Sequence, residues 1–105
     1  MIVACGKAWD RRIMEYIGHD YARCLYLYLD LLEYGFSSPF TEVFAQTVGG
    51  KMTAVLLRYH SCIHIFARNA EAADIPELAQ FIVEGEDTIV YCVREIAEAL
   101  TGGML

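Results

Sequence analysis

The chain has 105 residues, of which 56% are apolar, and its 14 acidic and 8 basic side chains give a formal net charge of −6. This length predicts a single domain, residues 1–105, with one core. The apolar fraction exceeds the average of about 45–50%, which indicates a very full core or a face covered by another domain or subunit. The acidic balance excludes the basic surface that nucleic-acid binding requires.

The chain has four scattered cysteines without a CxxC pair: Cys5, Cys24, Cys62 and Cys92. Charged residues from Lys7 onward interrupt the start before a secretory leader can form. The longest apolar run, Leu25 to Leu32, contains Asp30 and is far shorter than the roughly 20 residues that span a bilayer. We therefore expect reduced, mostly buried thiols, a cytoplasmic location and no membrane partner.

The first elements are predicted to be a short strand and a short helix. Ile2 to Cys5 reads as the strand. Asp10 can cap a helix that runs to Ile17, with Gly18 as its stop.

A longer helix is predicted over Tyr21–Tyr34, with Asp20 as its cap and Gly35 as its stop. The helix is apolar on nearly every side, so we expect it to be buried on more than one side. Burial of that kind points to a neighbouring domain or subunit. The residues expected at such an interface are Tyr21, Leu25, Tyr28, Leu29 and Leu32.

Three strands follow. Phe40 to Val48 and Lys51 to Tyr59 are predicted to pair as a hairpin, because Gly49-Gly50 supplies the positive φ angles of a two-residue turn. Cys62 to Ala67 forms the third strand after a bend at His60-Ser61, although one long bent strand is an alternative.

The next helix is predicted to start at a capping box of Asp74 and Glu77, with Pro76 in the first turn. It runs to Val83 and stops at Gly85.

A buried strand over Thr88–Cys92 and a last helix from Val93 to Leu100, ending at Gly102-Gly103, complete the predicted elements. Their order is β-α-α-β-β-β-α-β-α. This order predicts an α/β fold with a mixed, mainly antiparallel sheet and helices on both faces.

Both the order and several sequence segments resemble the amino-terminal domain of certain bacterial GNAT-family N-acetyltransferases. The segments are Glu15-Tyr16-Ile17, Asp20 to Asp30, Tyr34-Gly35, Thr53 to Tyr59 and Cys62 to Phe66. In such proteins this domain precedes a complete acetyltransferase domain. The resemblance implies a GNAT-like fold, truncated relative to a full acetyltransferase, and a partner that is either a catalytic GNAT domain or a second copy.

The family's acetyl-CoA signature, R/Q-x-x-G-x-G/A, aligns with the stretch from Arg68 to Ala73. Arg68 and Ala73 match the pattern, but Glu71 stands in place of the glycine. A carboxylate there would repel the pyrophosphate and hinder close backbone approach. The resemblance therefore implies acetyl-CoA for a full-length family member and predicts no cofactor for this chain.

Two further hypotheses concern the alternating residues His60, Cys62 and His64. On one continuous strand they would share a face and could form a three-ligand metal site, or a histidine could activate the Cys62 thiol. Two polar-facing histidines and a buried thiol are the ordinary alternative, so no metal site and no catalytic residue are predicted.

These observations predict a non-catalytic GNAT-like domain that packs against a catalytic acetyltransferase domain or self-associates. One alternative is a small acidic binding module or inhibitor that occupies a basic surface. Another is a minimal acetyl-CoA-dependent N-acetyltransferase with an atypical cofactor site.

Overall fold

The computed structural model describes residues 1–36 and 38–104 and contains five strands and four α-helices in the predicted order. The strands are β1 (Ile2–Ala4), β2 (Thr41–Val48), β3 (Lys51–Tyr59), β4 (Cys62–Phe66) and β5 (Ile89–Cys92). The helices are α1 (Asp10–Ile17), α2 (Leu25–Tyr34), α3 (Ile75–Glu84) and α4 (Arg94–Met104), and short 3-10 segments, Lys7–Trp9 and Asp20–Cys24, precede α1 and α2.

The strands form one mixed sheet in the order β1-β2-β3-β4-β5. The first three pairings are antiparallel, and β5 runs parallel to β4. The predicted mixed, mainly antiparallel sheet is thereby confirmed.

Helices cover both faces of this sheet. Tyr16 of α1 packs edge-to-face on Phe66, and Asp30 of α2 lies beside His64, so α1 and α2 share one face. On the opposite face, Phe81 of α3 packs edge-to-face on Phe44, with ring centroids 4.9 Å apart. Alternation of side chains along each strand explains this division. Of the helices described, none is both long and apolar enough to cross a membrane.

The β2–β3 hairpin forms as predicted. Gly49 and Gly50 have φ angles of 60° and 81°, the combination that a tight turn between twisted strands requires. The register shifts after Gln46, which pairs with Ala54 while Thr47 pairs with Met52. Thr53 is therefore the extra residue of a bulge.

Gln46 organises the buried polar contacts next to this bulge. Its Nε2 donates to the Asp74 carbonyl at 3.0 Å and to Glu77 Oε1 at 2.9 Å. Its Oε1 accepts from the Thr53 hydroxyl at 2.8 Å and from the Asp74 N–H at 3.0 Å. All four hydrogen-bonding positions of the amide are thus used, as a fully buried amide needs.

The start of α3 differs slightly from the predicted capping box. Asp74 Oδ1 accepts from the Glu77 N–H at 3.1 Å, as predicted. The reciprocal bond is absent among the described residues, because Gln46 takes both the Asp74 N–H and the Glu77 carboxylate.

The predicted long helix over Tyr21–Tyr34 is wrong in its first turn. Asp20–Cys24 is a 3-10 segment, and Cys24 has φ −137° and ψ 41°, outside the helical region, so α2 begins only at Leu25. Asp10 likewise begins α1 without capping it through its side chain.

Burial of α2 is also more limited than predicted. Among residues 1–36 and 38–104, α2 buries one side, through Leu27 and Leu31, and its opposite side is exposed.

The strand predicted over Thr88–Cys92 forms as β5, but the prediction that it is buried is wrong. Ile89, Val90 and Tyr91 are exposed, because β5 is the edge of the sheet and has a neighbouring strand on one side only.

The last helix continues through Gly102-Gly103 to Met104 instead of ending there. Glycine populates helical angles at a cost of about 1 kcal/mol, so it weakens a helix without necessarily stopping it.

Candidate functional site

The connector between β4 and α3 uses its own backbone donors internally. The Glu71 N–H donates to Asn69 Oδ1 at 3.0 Å, and the N–H groups of Ala72 and Ala73 donate to carbonyls at Asn69 and Ala70. A pyrophosphate site at a helix start needs such N–H groups free and pointing outward. Here they close turns within the connector.

An open cavity of about 780 Å³ lies beside this connector. Three carboxylates line it, those of Glu71, Glu95 and Glu98, together with two guanidinium groups. Arg23 is paired with Glu95 at 3.0 Å, and Arg68 approaches Asp20 at 3.9 Å. Both guanidinium groups already have carboxylate partners. More carboxylates than guanidinium groups line the cavity, and this excess negative charge repels anions. The residues of this connector do not fit the pyrophosphate of acetyl-CoA.

The predicted interface residues do come together. Leu25, Leu29 and Leu32 are 46%, 46% and 59% exposed and follow one side of α2. Tyr21 of the preceding 3-10 segment is 48% exposed and packs on the half-buried Tyr28, with ring centroids 5.4 Å apart. We call these five residues the α2 face. Isolated exposed apolar side chains are ordinary, whereas contiguous apolar patches of more than a few hundred Å² are characteristic of interaction surfaces.

A pocket of about 300 Å³ lies between α2 and β5. Its walls are Tyr26, Asp30, His64 and Tyr91. The His64 ring stacks on Tyr91, with centroids 4.9 Å apart and planes 14° apart. Its Nε2 lies 3.9 Å from Asp30 Oδ2. The pocket therefore combines two tyrosine rings with one imidazole and one carboxylate.

The electrostatics of this pocket centre on His64. Burial lowers the pKa of its imidazole, and the Asp30 carboxylate opposes that shift in part. His64 is therefore mainly neutral at neutral pH. With His64 neutral, the pocket is lined by aromatic rings and a single carboxylate, that of Asp30.

The His60, Cys62 and His64 alternation does not produce one aligned set. His60 lies in the β3–β4 turn with a φ of 56°, and its ring packs on Tyr59. Across residues 1–36 and 38–104, no group of three metal-ligating side chains is arranged to hold an ion. Burial and the carboxylates of Asp30 and Asp87 raise the pKa of Cys62, whereas an activated thiol needs a lowered pKa.

Several of the best-defined contacts had no clear signal in the sequence. Arg58 forms a bidentate pair with Asp87, whose side chain is fully buried, at 2.9 and 2.8 Å, and the Arg58 guanidinium lies 4.5 Å from the Phe81 ring centre. The Tyr16 hydroxyl donates to the Thr53 carbonyl and accepts from the Arg68 N–H, both at 2.9 Å. The sequence does contain a signal for Asp30. Its carboxylate interrupts an apolar run on a helix, and it follows Tyr26 by four residues, so the two lie on the same side of that helix.

Comparison with known proteins gives no match to a protein-family model, a curated protein or a solved structure.

Proposed function

We propose that this chain is a non-catalytic domain of the GNAT type, which acts by packing the α2 face against a catalytic acetyltransferase domain or against a second copy of itself. The observation that carries the proposal is the α2 face itself, an apolar side of a helix that the described part of the chain leaves exposed. The resemblance of the sequence to amino-terminal GNAT-like domains supplies the class of partner.

The energetics of the α2 face support an interface. Each of its three leucines is about half exposed, so covering it would contribute roughly 1 kcal/mol, half of the about 1.5–3 kcal/mol for a fully exposed side chain. Tyrosines at its margin offer both apolar area and a hydroxyl, a combination that is enriched at interfaces.

The connector supports a role without cofactor chemistry. Its N–H groups are used internally, and Glu71 adds a negative charge to the cavity beside it. The alternative of a minimal acetyltransferase gains no support from this geometry. The alternative of an acidic binding module rests on the net charge of −6 and predicts a complex that salt weakens.

Light scattering combined with binding of Nile red, a neutral dye that reports apolar surface, tests the proposal. We expect the 105-residue chain either to exceed the mass of a monomer or to bind the dye as a monomer. Leu29→Glu should weaken self-association about tenfold or more, because it removes apolar contact and inserts a charge, or should abolish dye binding.

Val83→Glu is the matched control. Val83 is 67% exposed on α3, away from the α2 face, so the same change of charge there should alter neither readout. A chain that is monomeric and does not bind the dye would refute the proposal.

A further inference from the structure

The pocket between α2 and β5 has one formal charge on its walls at neutral pH. Its volume is about 300 Å³, and its walls are Tyr26, Asp30, His64 and Tyr91. His64 is mainly neutral, because burial lowers the pKa of its imidazole, so the charge is that of the Asp30 carboxylate. A carboxylate attracts cations and repels anions. A charged ligand of this pocket is therefore a cation.

The Asp30 carboxylate is largely buried and has no strong cationic partner. Its side chain is 29% exposed, and His64 Nε2 lies 3.9 Å from its Oδ2, which is beyond hydrogen-bond distance. Among residues 1–36 and 38–104, no lysine or arginine forms an ion pair with Asp30. Burying a charge is costly unless it is paired, so a cation in the pocket would supply the missing partner.

The aromatic walls are in place before a ligand arrives. Tyr26 lies one turn before Asp30 on the same side of α2. The ring of Tyr91 is held by its stacking on His64, with planes 14° apart. Walls that are already ordered reduce the entropy cost of binding. Tyr26 and Tyr91 are 68% and 49% exposed, so the pocket is open to solvent between them.

We propose that this pocket binds a small organic cation that carries a methylated ammonium group. Asp30 is the counter-ion, and the rings of Tyr26 and Tyr91 contact the methyl groups. Aromatic rings attract such cations through their negative faces. A primary ammonium has three N–H donors to satisfy, whereas a quaternary ammonium has none and suits walls made mostly of ring carbon. This inference goes beyond the proposed function and does not rest on it.

A second cavity indicates how the cation is oriented. This cavity, of about 170 Å³, shares three walls with the pocket: Tyr26, His64 and Tyr91. Arg23 lines the second cavity and not the first, and its guanidinium is paired with Glu95 at 3.0 Å. The ammonium group therefore lies at the Asp30 end, and an uncharged substituent extends toward the second cavity.

Choline, which has a trimethylammonium group and a short neutral tail, is the probe. We expect saturable shifts of the Tyr26, Asp30 and Tyr91 amide signals when choline chloride is titrated into the ¹⁵N-labelled 105-residue chain at constant ionic strength. The expected Kd is about 1 mM or lower. The neutral isostere 3,3-dimethyl-1-butanol should bind at least tenfold more weakly, because it lacks the charge. Ethanolamine, which lacks the three methyl groups, should also bind about tenfold more weakly.

Two matched pairs of variants assign the binding to these residues. Asp30→Asn removes the charge with little change of shape and should weaken choline binding at least tenfold. Glu33→Gln makes the same kind of change at an exposed residue of α2 that does not line the pocket, and it should leave the Kd unchanged. Tyr26→Leu should weaken binding at least fivefold, and Tyr26→Phe, which keeps the ring, should not. Circular dichroism shows whether each variant is folded.

Three results would overturn the inference. Absence of saturable binding at about 10 mM choline would show that the pocket is not a cation site. Equal affinity for choline and 3,3-dimethyl-1-butanol, or equal losses in Asp30→Asn and Glu33→Gln, would show that Asp30 is not the counter-ion. Ethanolamine binding as tightly as choline would show that ring contacts with methyl groups do not select the ligand. None of these results bears on the α2 face, whose test is self-association and binding of Nile red.

Discussion

At the scale of single residues, the half-buried groups between α2 and β5 determine the charge and polarity of the pocket between these two elements. His64 faces Asp30 from α2, Tyr91 from β5 and Cys62 from its own strand. Burial outweighs the attraction of Asp30, so the pKa of His64 lies below its ordinary value of 6.5. Folding therefore favours the neutral form of the His64 ring.

We therefore expect acid to destabilise the chain through His64. As the pH falls from about 7 through the ordinary histidine pKa of about 6.5, the unfolded chain takes up a proton before the folded chain does. Stability then falls with pH until the folded-state pKa is passed, and the loss is constant below it.

Urea unfolding at a series of pH values between about 7 and 5 measures this effect. His64→Asn should show a shallower loss of stability than the wild type, because the exposed His19 and His60 are common to both proteins. A wild-type chain that gains stability relative to His64→Asn on acidification would show that the Asp30 attraction outweighs burial.

At the scale of elements, the end of α3 is held by a close approach to the Arg58–Asp87 pair. Gly85 has φ −80° and ψ −5°, angles that any residue adopts. A Cβ added there would lie 2.7 Å from Arg58 Cζ and 2.9 Å from Asp87 Oδ2, and would also overlap the Arg58 guanidinium nitrogen. Glycine is therefore required at position 85 because there is no room for a Cβ, and not because of the backbone conformation.

We expect Gly85→Ala to destabilise the chain by about 1–3 kcal/mol, the usual cost of overpacking. The alanine would otherwise stabilise by about 0.4–1 kcal/mol through the unfolded state, so the clash decides the sign. Arg58 cannot swing away freely, because Asp87 and the Phe81 ring hold it.

Chemical denaturation of a double-mutant cycle checks this reason. In a background of Arg58→Met and Asp87→Ala the obstructing groups are gone, and Gly85→Ala should become neutral or stabilising. If Gly85→Ala destabilised both backgrounds equally, the clash with Arg58 and Asp87 would not be the cause of the destabilisation.

At the scale of the whole molecule, net charge and apolar surface act in opposite directions on self-association. Two copies with a charge of −6 each repel one another, whereas covering the exposed apolar side chains of the α2 face would be favourable. Salt screens the repulsion and leaves apolar burial intact.

We therefore predict that self-association holds or tightens when NaCl rises from about 0.05 to about 0.5 M, since the Debye length falls well below the size of the protein. Sedimentation equilibrium of the wild type measures it, with Leu29→Glu as the non-associating control. An acidic module bound to a basic partner would instead be weakened by salt, so a complex that dissociates in salt would favour that alternative.

The order of elements and most of their boundaries could be predicted from the sequence. Gly49-Gly50 specified the hairpin because only residues tolerant of positive φ fit its turn. Asp74 specified the start of α3 because its carboxylate reaches the Glu77 N–H within one turn. These signals are local, so a single stretch of sequence contains both partners. The GNAT resemblance and the cofactor prediction remain predictions.

Tertiary structure alone decided the features that join distant residues. Gln46 meets Asp74 across 28 positions, and Arg58 meets Asp87 across 29. Whether β5 is buried or exposed depends on its place in the sheet, and the α2 face is exposed because no second layer lies over it among the residues that the structure describes. The sequence by itself determined which residues were apolar and in what order the elements form. Only packing determined which of those residues remain for a partner, because exposure depends on what else the fold brings near.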